Sequence, residues 1–195
     1  MSFNNKVRTH KISPSAKLCV PGTYNQVSAD SPAIEAMTDF TRISVVTINP
    51  EATLATANAS MIARGVRLLL VRGRDEELLG LITARDIHGE RPLQVAQSRG
   101  TKANDLLVSD IMVPAGSIEI VYFRDAINLR VADVLDAMKA QGRQHVLVED
   151  NDPSTGEARV RGIFSATQIG RLLGIPVQGF EVASTFAEIE AALAD

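Results

Sequence analysis

Gly80-Leu81-Ile82-Thr83-Ala84-Arg85-Asp86 occurs twice in this chain, the second time as Gly162-Ile163-Phe164-Ser165-Ala166-Thr167-Gln168. In each copy a glycine precedes apolar residues, a hydroxyl residue follows, and a polar residue stands three positions beyond it. The first copy ends in a carboxylate and the second in an amide.

Outward from these copies the register can be tested by subtraction. Met37 to Met112 is 75 positions, Met61 to Met138 and Gly65 to Gly142 are each 77, and Gly80 to Gly162 is 82. The jump from 77 to 82 falls in a polar turn, where five extra residues disturb little. A shift confined to a turn is the mark of a duplication.

The first unit begins at Ser31-Pro32, where Ser suits an N-cap and Pro the first helical position. Ala33, Met37 and Phe40 would share a face of a short helix ending near Asp39. Ile43 to Ile48 is β-branched and reads as a strand, broken at Asn49-Pro50-Glu51. Leu54, Ala57, Met61 and Ile62 have helical spacing, with Gly65 placed to end the helix. Arg67 to Val71 and Leu78 to Thr83 predict a hairpin around the polar turn Gly73 to Glu77, with Thr83 as cap of the next helix. Pro92 to Arg99 predicts a helix closed by Gly100, and Lys102 to Leu107 a polar connection.

The order then recurs. Asp110-Ile111-Met112 stands where Glu35-Ala36-Met37 stood, and Ile118 to Phe123 is β-like. Val131, Val134, Leu135 and Met138 have helical spacing up to Gly142. His145 to Val148 and Val160 to Phe164 read as strands around the turn formers of Asp150 to Glu157. Ser165 begins a helix through Leu173, stopped by Gly174 and Pro176. Thr185-Phe186-Ala187-Glu188 has the capping-box pattern, and Phe186, Ile189 and Leu193 share a face of a final helix that should dock. Residues 1–30 read as an extended or disordered arm, 31–90 as repeat 1, 91–109 as a connecting segment, 110–175 as repeat 2, and 176–195 as a tail helix. Each unit is too small to bury its apolar positions alone, so two units should pack sheet to sheet and complete one core.

Composition narrows the function. The chain has 45% hydrophobic residues but no Trp and 4% aromatics, so its core is aliphatic. The net charge of -3 and the dispersed basic residues argue against nucleic-acid binding. One cysteine, Cys19, excludes an internal disulfide, and His10, His88 and His145 lack metal-ligand spacing. No signal peptide and no apolar run near ~20 residues is present, so a cytoplasmic protein is expected. No glycine-rich phosphate loop or nucleophile–base constellation is seen, and the repeats use most of the chain. A non-enzyme is expected.

The pattern resembles a tandem pair of CBS domains, named after cystathionine β-synthase and often called a Bateman module. The match is carried by Leu54-x-x-Ala57 to Met61 and Gly65, Leu69-Leu70-Val71, and Gly80-Leu81-Ile82-Thr83-x-x-Asp86. In the second copy it is carried by Val131 to Met138 and Gly142, Val146-Leu147-Val148, and Gly162-Ile163-Phe164-Ser165. The family often has proline before valine in the middle strand, where this chain has Leu70 and Leu147. The resemblance implies an α/β (α+β) fold of two repeats, each a small mixed sheet covered by helices, related by pseudo-two-fold symmetry. It implies no required cofactor or metal. The effector would be an adenine nucleotide (AMP, ADP, ATP) or a related adenosyl ligand, bound between the repeats. A homodimer and an unidentified regulated protein are the expected partners, with no nucleic acid and no membrane. The second reading is a ligand-independent assembly scaffold acting through the C-terminal helix.

On that resemblance, one pocket is expected from Thr83, Arg85 and Asp86 with Val121, Gln144, His145 and Leu147 of the other repeat. Asp86 can accept hydrogen bonds from vicinal ribose hydroxyls, and a charged acceptor strengthens them. It can equally cap its own helix. Thr83 at the helix start and Arg85 beside it would favour phosphate oxygens. Val121 and Leu147 would flank the base, with Gln144 or His145 near the phosphates. A second, weaker pocket would use Ser165, Thr167 and Gln168 with Ser44, Arg67 and Leu70, since Gln168 offers ribose no charge.

Overall fold

The computed structural model describes residues 11–17, 27–175 and 182–193. Cys19, most of the arm and the stop at Pro176 lie outside the described residues. Two four-stranded mixed sheets are each covered by helices.

The hairpin of the first repeat forms as its apolar runs predict, from β3 (Leu68–Arg72) and β4 (Leu78–Thr83), with Leu70 opposite Leu81. β2 (Thr47–Ile48) adds in parallel to β3, and only two residues of the β-branched run enter the sheet. Helix α1 (Leu54–Arg64) is capped by Thr53, whose hydroxyl accepts from Thr56 N, and ends at left-handed Gly65. Helices α2 (Ala84–His88) and α3 (Arg91–Arg99) follow. In the second repeat, β6 (Ile120–Tyr122), β7 (His145–Asn151) and β8 (Ala158–Ser165) correspond to β2, β3 and β4. Helices α5 (Phe123–Ala126), α6 (Val131–Ala140) and α7 (Ala166–Leu172) cover them.

The fourth strand of each sheet comes from the other repeat. β1 (Thr38–Asp39) pairs with β8, and β5 (Val113–Pro114) pairs with β4. The short turn Ala33–Ala36 therefore lies on repeat 2, where Ala33 N donates to Leu129 O and Val131 N to Ser31 O. Helix α4 (Val108–Ile111) lies on repeat 1, where Val108 N donates to Ala52 O. This corrects the expected unit, which kept its leading helix on its own sheet. It also corrects the helix expected from Ser31 to Asp39: four residues make a 3-10 turn, and Met37 is already extended.

Glycine permits the exchange. Gly80 faces Pro114 and Gly162 faces Asp39 across the new pairings. A Cβ on Gly80 would lie 2.3 Å from Val113 O, and one on Gly162 would lie 2.6 Å from Thr38 O. The motif glycine is thus where a foreign backbone crosses closely. β1 is fastened further by Arg161, whose Nε and Nη2 donate to Asp39 Oδ1 and Oδ2 at 3.0 and 3.1 Å. The Arg161 bonds hold the Asp39 carboxyl well below the usual range.

Among the described residues there are three apolar clusters rather than one core. Strand alternation sends Leu69, Val71 and Ile82 toward α1 and α4, and Val146, Val148 and Phe164 toward α6 and α7. Leu70, Leu147 and Ile163 point the other way and meet between the sheets. Leu106, in the segment read as a polar connection, is buried in the first cluster. Val27 of the arm is buried in the second repeat's cluster. The tail is α8 (Val182–Leu193), which starts earlier than its capping-box pattern suggests, so Thr185 is its fourth residue. Phe186 and Ile189 are buried against the second repeat and Leu193 is exposed.

Gly80→Ala and Gly162→Ala are each expected to lower unfolding free energy by about 2 kcal/mol or more, read by urea denaturation. Gly116→Ala, with open space around its Cβ, should stay within about 0.5 kcal/mol of the parent. Asp39→Asn should cost about 2 kcal/mol in the same assay, since it removes the charge from a paired, half-buried acceptor.

Candidate functional site

A cleft of about 1280 Å³ opens between the two repeats. One side is the junction where β4 ends and α2 begins, carrying Thr83, Arg85 and Asp86. The facing side is the turn from α6 into β7, carrying Arg143, Gln144, His145 and Leu147. Gly142, left-handed at φ 62, makes that turn sharp enough for Gln144 and His145 to follow α6 directly. Leu68, Leu81, Ile118 and Leu147 supply apolar lining.

The carboxylate of Asp86 has a divided role. Its Oδ2 accepts from Thr83 N at 2.8 Å and from Thr83 Oγ1 at 2.7 Å, and Asp86 N donates to Thr83 Oγ1 at 3.3 Å. This reciprocal cap satisfies the first turn of α2. Asp110 and Asp133 make only the carboxylate half of this cap at their helix starts, where Oδ2 accepts from Leu107 N and Arg130 N, each at 2.8 Å. Oδ1 of Asp86 lies 4.0 Å from Arg91 Nη1. Its lone pairs remain for a hydroxyl pair. Thr83 is the cap expected of it, and its hydroxyl proton is given to Asp86, so it cannot also be donated to a phosphate without breaking the cap.

His145 and Arg67 meet where the first residues of β7 and the residue preceding β3 lie side by side. Burial, then the Arg67 guanidinium, push His145 down to about 4. It is therefore neutral at pH 7 and offers a ligand an N–H rather than a charge. Burial, then the charge of Arg171, lower Arg67 from its ordinary value, and Arg67 Nη2 donates to Thr167 Oγ1.

Of the residues expected for the first pocket, Thr83, Arg85, Asp86, Gln144, His145 and Leu147 line the cleft. Val121 does not. It pairs with Val148 on β6 and packs toward the helix-covered cluster, because one step along a strand turns a side chain to the other face. Ile118 lines the cleft in its place. Of the second set, Arg67 lines this same cleft and is tied to Thr167. Leu70 is buried between the sheets, Ser44 is exposed, and Ser165, Thr167 and Gln168 are half-buried outside the cleft. Ser165 makes no side-chain cap bond, so α7 lacks the carboxylate box of α2.

Sequence reading missed Lys139 and Arg143, which line the cleft at the end of α6. Their place just before Gln144 was an available signal. It also missed Glu119, whose Oε2 lies 3.3 Å from Arg143 Nη2, and the wall contributed by Phe186, Ala187 and Glu190 of α8. No local signal tells where a tail helix returns.

A family profile described as CBS domain matches residues 34–91. No curated protein matches the chain. Among solved structures, an uncharacterized conserved protein of Pyrococcus horikoshii is 20% identical, with a TM-score of 0.55 over 78% of this chain and 99% of that one. A CBS-domain containing protein of Agrobacterium tumefaciens is 21% identical, with a TM-score of 0.51 over 68% and 88%. A conserved CBS domain protein of Thermoplasma acidophilum is 20% identical, with a TM-score of 0.50 over 79% and 77%. The likeness is one of fold: two four-stranded mixed sheets under helices.

The depressed value of His145 makes stability depend on pH. Its folded value lies below the ordinary 6.5, so the stability it allows is complete above pH 6.5 and is lost as pH falls toward 4. The gap corresponds to about 3 kcal/mol at most. Urea midpoints of the parent and of His145→Gln between pH 7 and 4.5 should diverge accordingly, the parent losing more. Parallel curves would place His145 in an environment that does not shift it.

Proposed function

We propose that this tandem CBS-domain pair is a regulatory module that senses an adenine nucleotide (AMP, ADP or ATP) or a related adenosyl ligand in the cleft between its repeats. The observation that carries the reading is the composition of that cleft. Leu68, Leu81, Ile118 and Leu147 give an apolar slot for a flat base, Asp86 Oδ1 is an acceptor for a ribose diol, and Arg85 and Arg143 are cations for phosphate. Both repeats supply the lining, so a ligand that fits one arrangement of the repeats better than another biases their relation. That bias is the output a partner protein would read. The module acts in the cytoplasm as a homodimer, without chemistry of its own. Among the described residues no helix is long and apolar enough to cross a membrane.

The two repeats are unequal in this reading. The Asp86 side has a charged acceptor and an open cleft, whereas on the other side Arg67 and Thr167 are already bonded to each other. Binding is dominated by the Asp86 side. The assembly-scaffold reading has less support, because the apolar face of α8 is spent on its own second repeat through Phe186 and Ile189.

A thermal-shift panel of AMP, ADP, ATP, NAD and S-adenosylmethionine tests the proposal. A ligand at ~100 times its dissociation constant adds about 2.7 kcal/mol of stability, or a melting shift of several degrees. No shift with any adenine compound would sink the reading. Asp86→Ala should weaken binding by roughly 10- to 100-fold in calorimetry, from the loss of charge-assisted bonds of about 1.5–3 kcal/mol. Gln168→Ala should change it little. The reverse order would move the main pocket to the other side.

A further inference from the structure

We infer that Glu190 of α8 sets the charge of the ligand that the cleft accepts. The inference rests on the adenosyl reading above and deepens it. Helix α8 is held on the second repeat by Phe186 and Ile189, 3% and 1% exposed. That anchoring brings Glu190, one residue beyond Ile189, to the cleft wall. There Glu190 pairs with Lys139 Nζ, both side chains half-exposed. Arg143, four residues beyond Lys139 and past the end of α6, pairs with Glu119 in the same lining.

The cations that the second repeat places in the cleft are therefore each met by a carboxylate. A ligand phosphate that takes Lys139 must displace Glu190. A half-exposed ion pair is weak, so one phosphate displaces it readily. Each further phosphate stays close to Glu190 and Glu119, and the repulsion grows with ligand charge. A carboxylate placed against the wrong ligand is how such a site discriminates. The cleft thus favours adenosyl ligands of low negative charge over a triphosphate, and α8 carries the residue that decides.

Calorimetric affinities for adenosine, AMP and ATP, with the parent chain and Glu190→Gln, test this. The substitution leaves the apolar anchor of α8 in place. Adenosine should bind both proteins alike. Affinity for AMP should rise about threefold and for ATP about tenfold in Glu190→Gln. Adding Lys139→Gln to that variant should remove most of the gain, because the place of the pair then carries no net charge, as in the parent. If adenosine, AMP and ATP bind and their ratios do not change in Glu190→Gln, the role of Glu190 is overturned while the adenosyl reading stands. If none of the three binds either protein, the adenosyl reading itself fails.

Discussion

A backbone carbonyl resting on a glycine is the contact on which the architecture depends. Val113 O crosses Gly80 and Thr38 O crosses Gly162, each closer than any Cβ would allow. These crossings let β5 complete the first sheet and β1 the second. Each repeat thereby lacks one strand that only the other can supply. The stabilisation of either sheet then depends on the presence of both, as expected for units too small to bury a core alone. Arg161 reinforces one crossing with a bidentate grip on Asp39, whereas the corresponding crossing carries Pro114 opposite Gly80. The duplication is thus symmetric in backbone and unequal in side-chain chemistry.

The same inequality shapes the site. In the first repeat the helix after the motif begins with a Thr83–Asp86 box, and in the second Ser165 makes no such bond. A cap consumes hydrogen-bonding capacity, but a carboxylate has enough for two tasks. One oxygen of Asp86 holds α2 in place, and the other, 4.0 Å from Arg91 Nη1, keeps lone pairs to spare. The carboxylate is therefore positioned by the structural role that competes with its use. Thr83 has a single proton, and the cap takes it.

What could be read from the sequence follows from what is local. Helix stops at Gly65, Gly100 and Gly142, each with φ between 62 and 65, need only the residue itself. The hairpin of β3 and β4 needs only adjacent apolar runs and a turn. The repeat was legible because its register shift sat in that turn. The exchange of β1 and β5 was not legible, since two-residue strands carry no periodicity and their partners are distant, 34 positions for Gly80 and Pro114 and 123 for Asp39 and Gly162. Six of seven residues expected in the main pocket line it, because they border the motif and the start of β7. Val121 fails by the parity of a three-residue strand, a matter of one step. Lys139 and Arg143 look like ordinary surface charges until the fold places α6 beside the cleft.

The exchange and the cleft are physically joined. Val113, the residue whose carbonyl crosses Gly80, also lines the cleft. Leu81, its partner in the β4–β5 pairing, lines it as well. Across the gap, Leu147 lines the cleft and at the same time packs against Leu70 in the contact between the sheets. A molecule seated there would touch the swapped strand, the strand it completes and the inter-sheet contact together. Packed interiors resist continuous deformation. A change in the spacing of the repeats is therefore felt at the crossing glycines and in the cleft in the same step. That shared set of residues is what would let occupancy of a small cleft act on the arrangement of the whole chain.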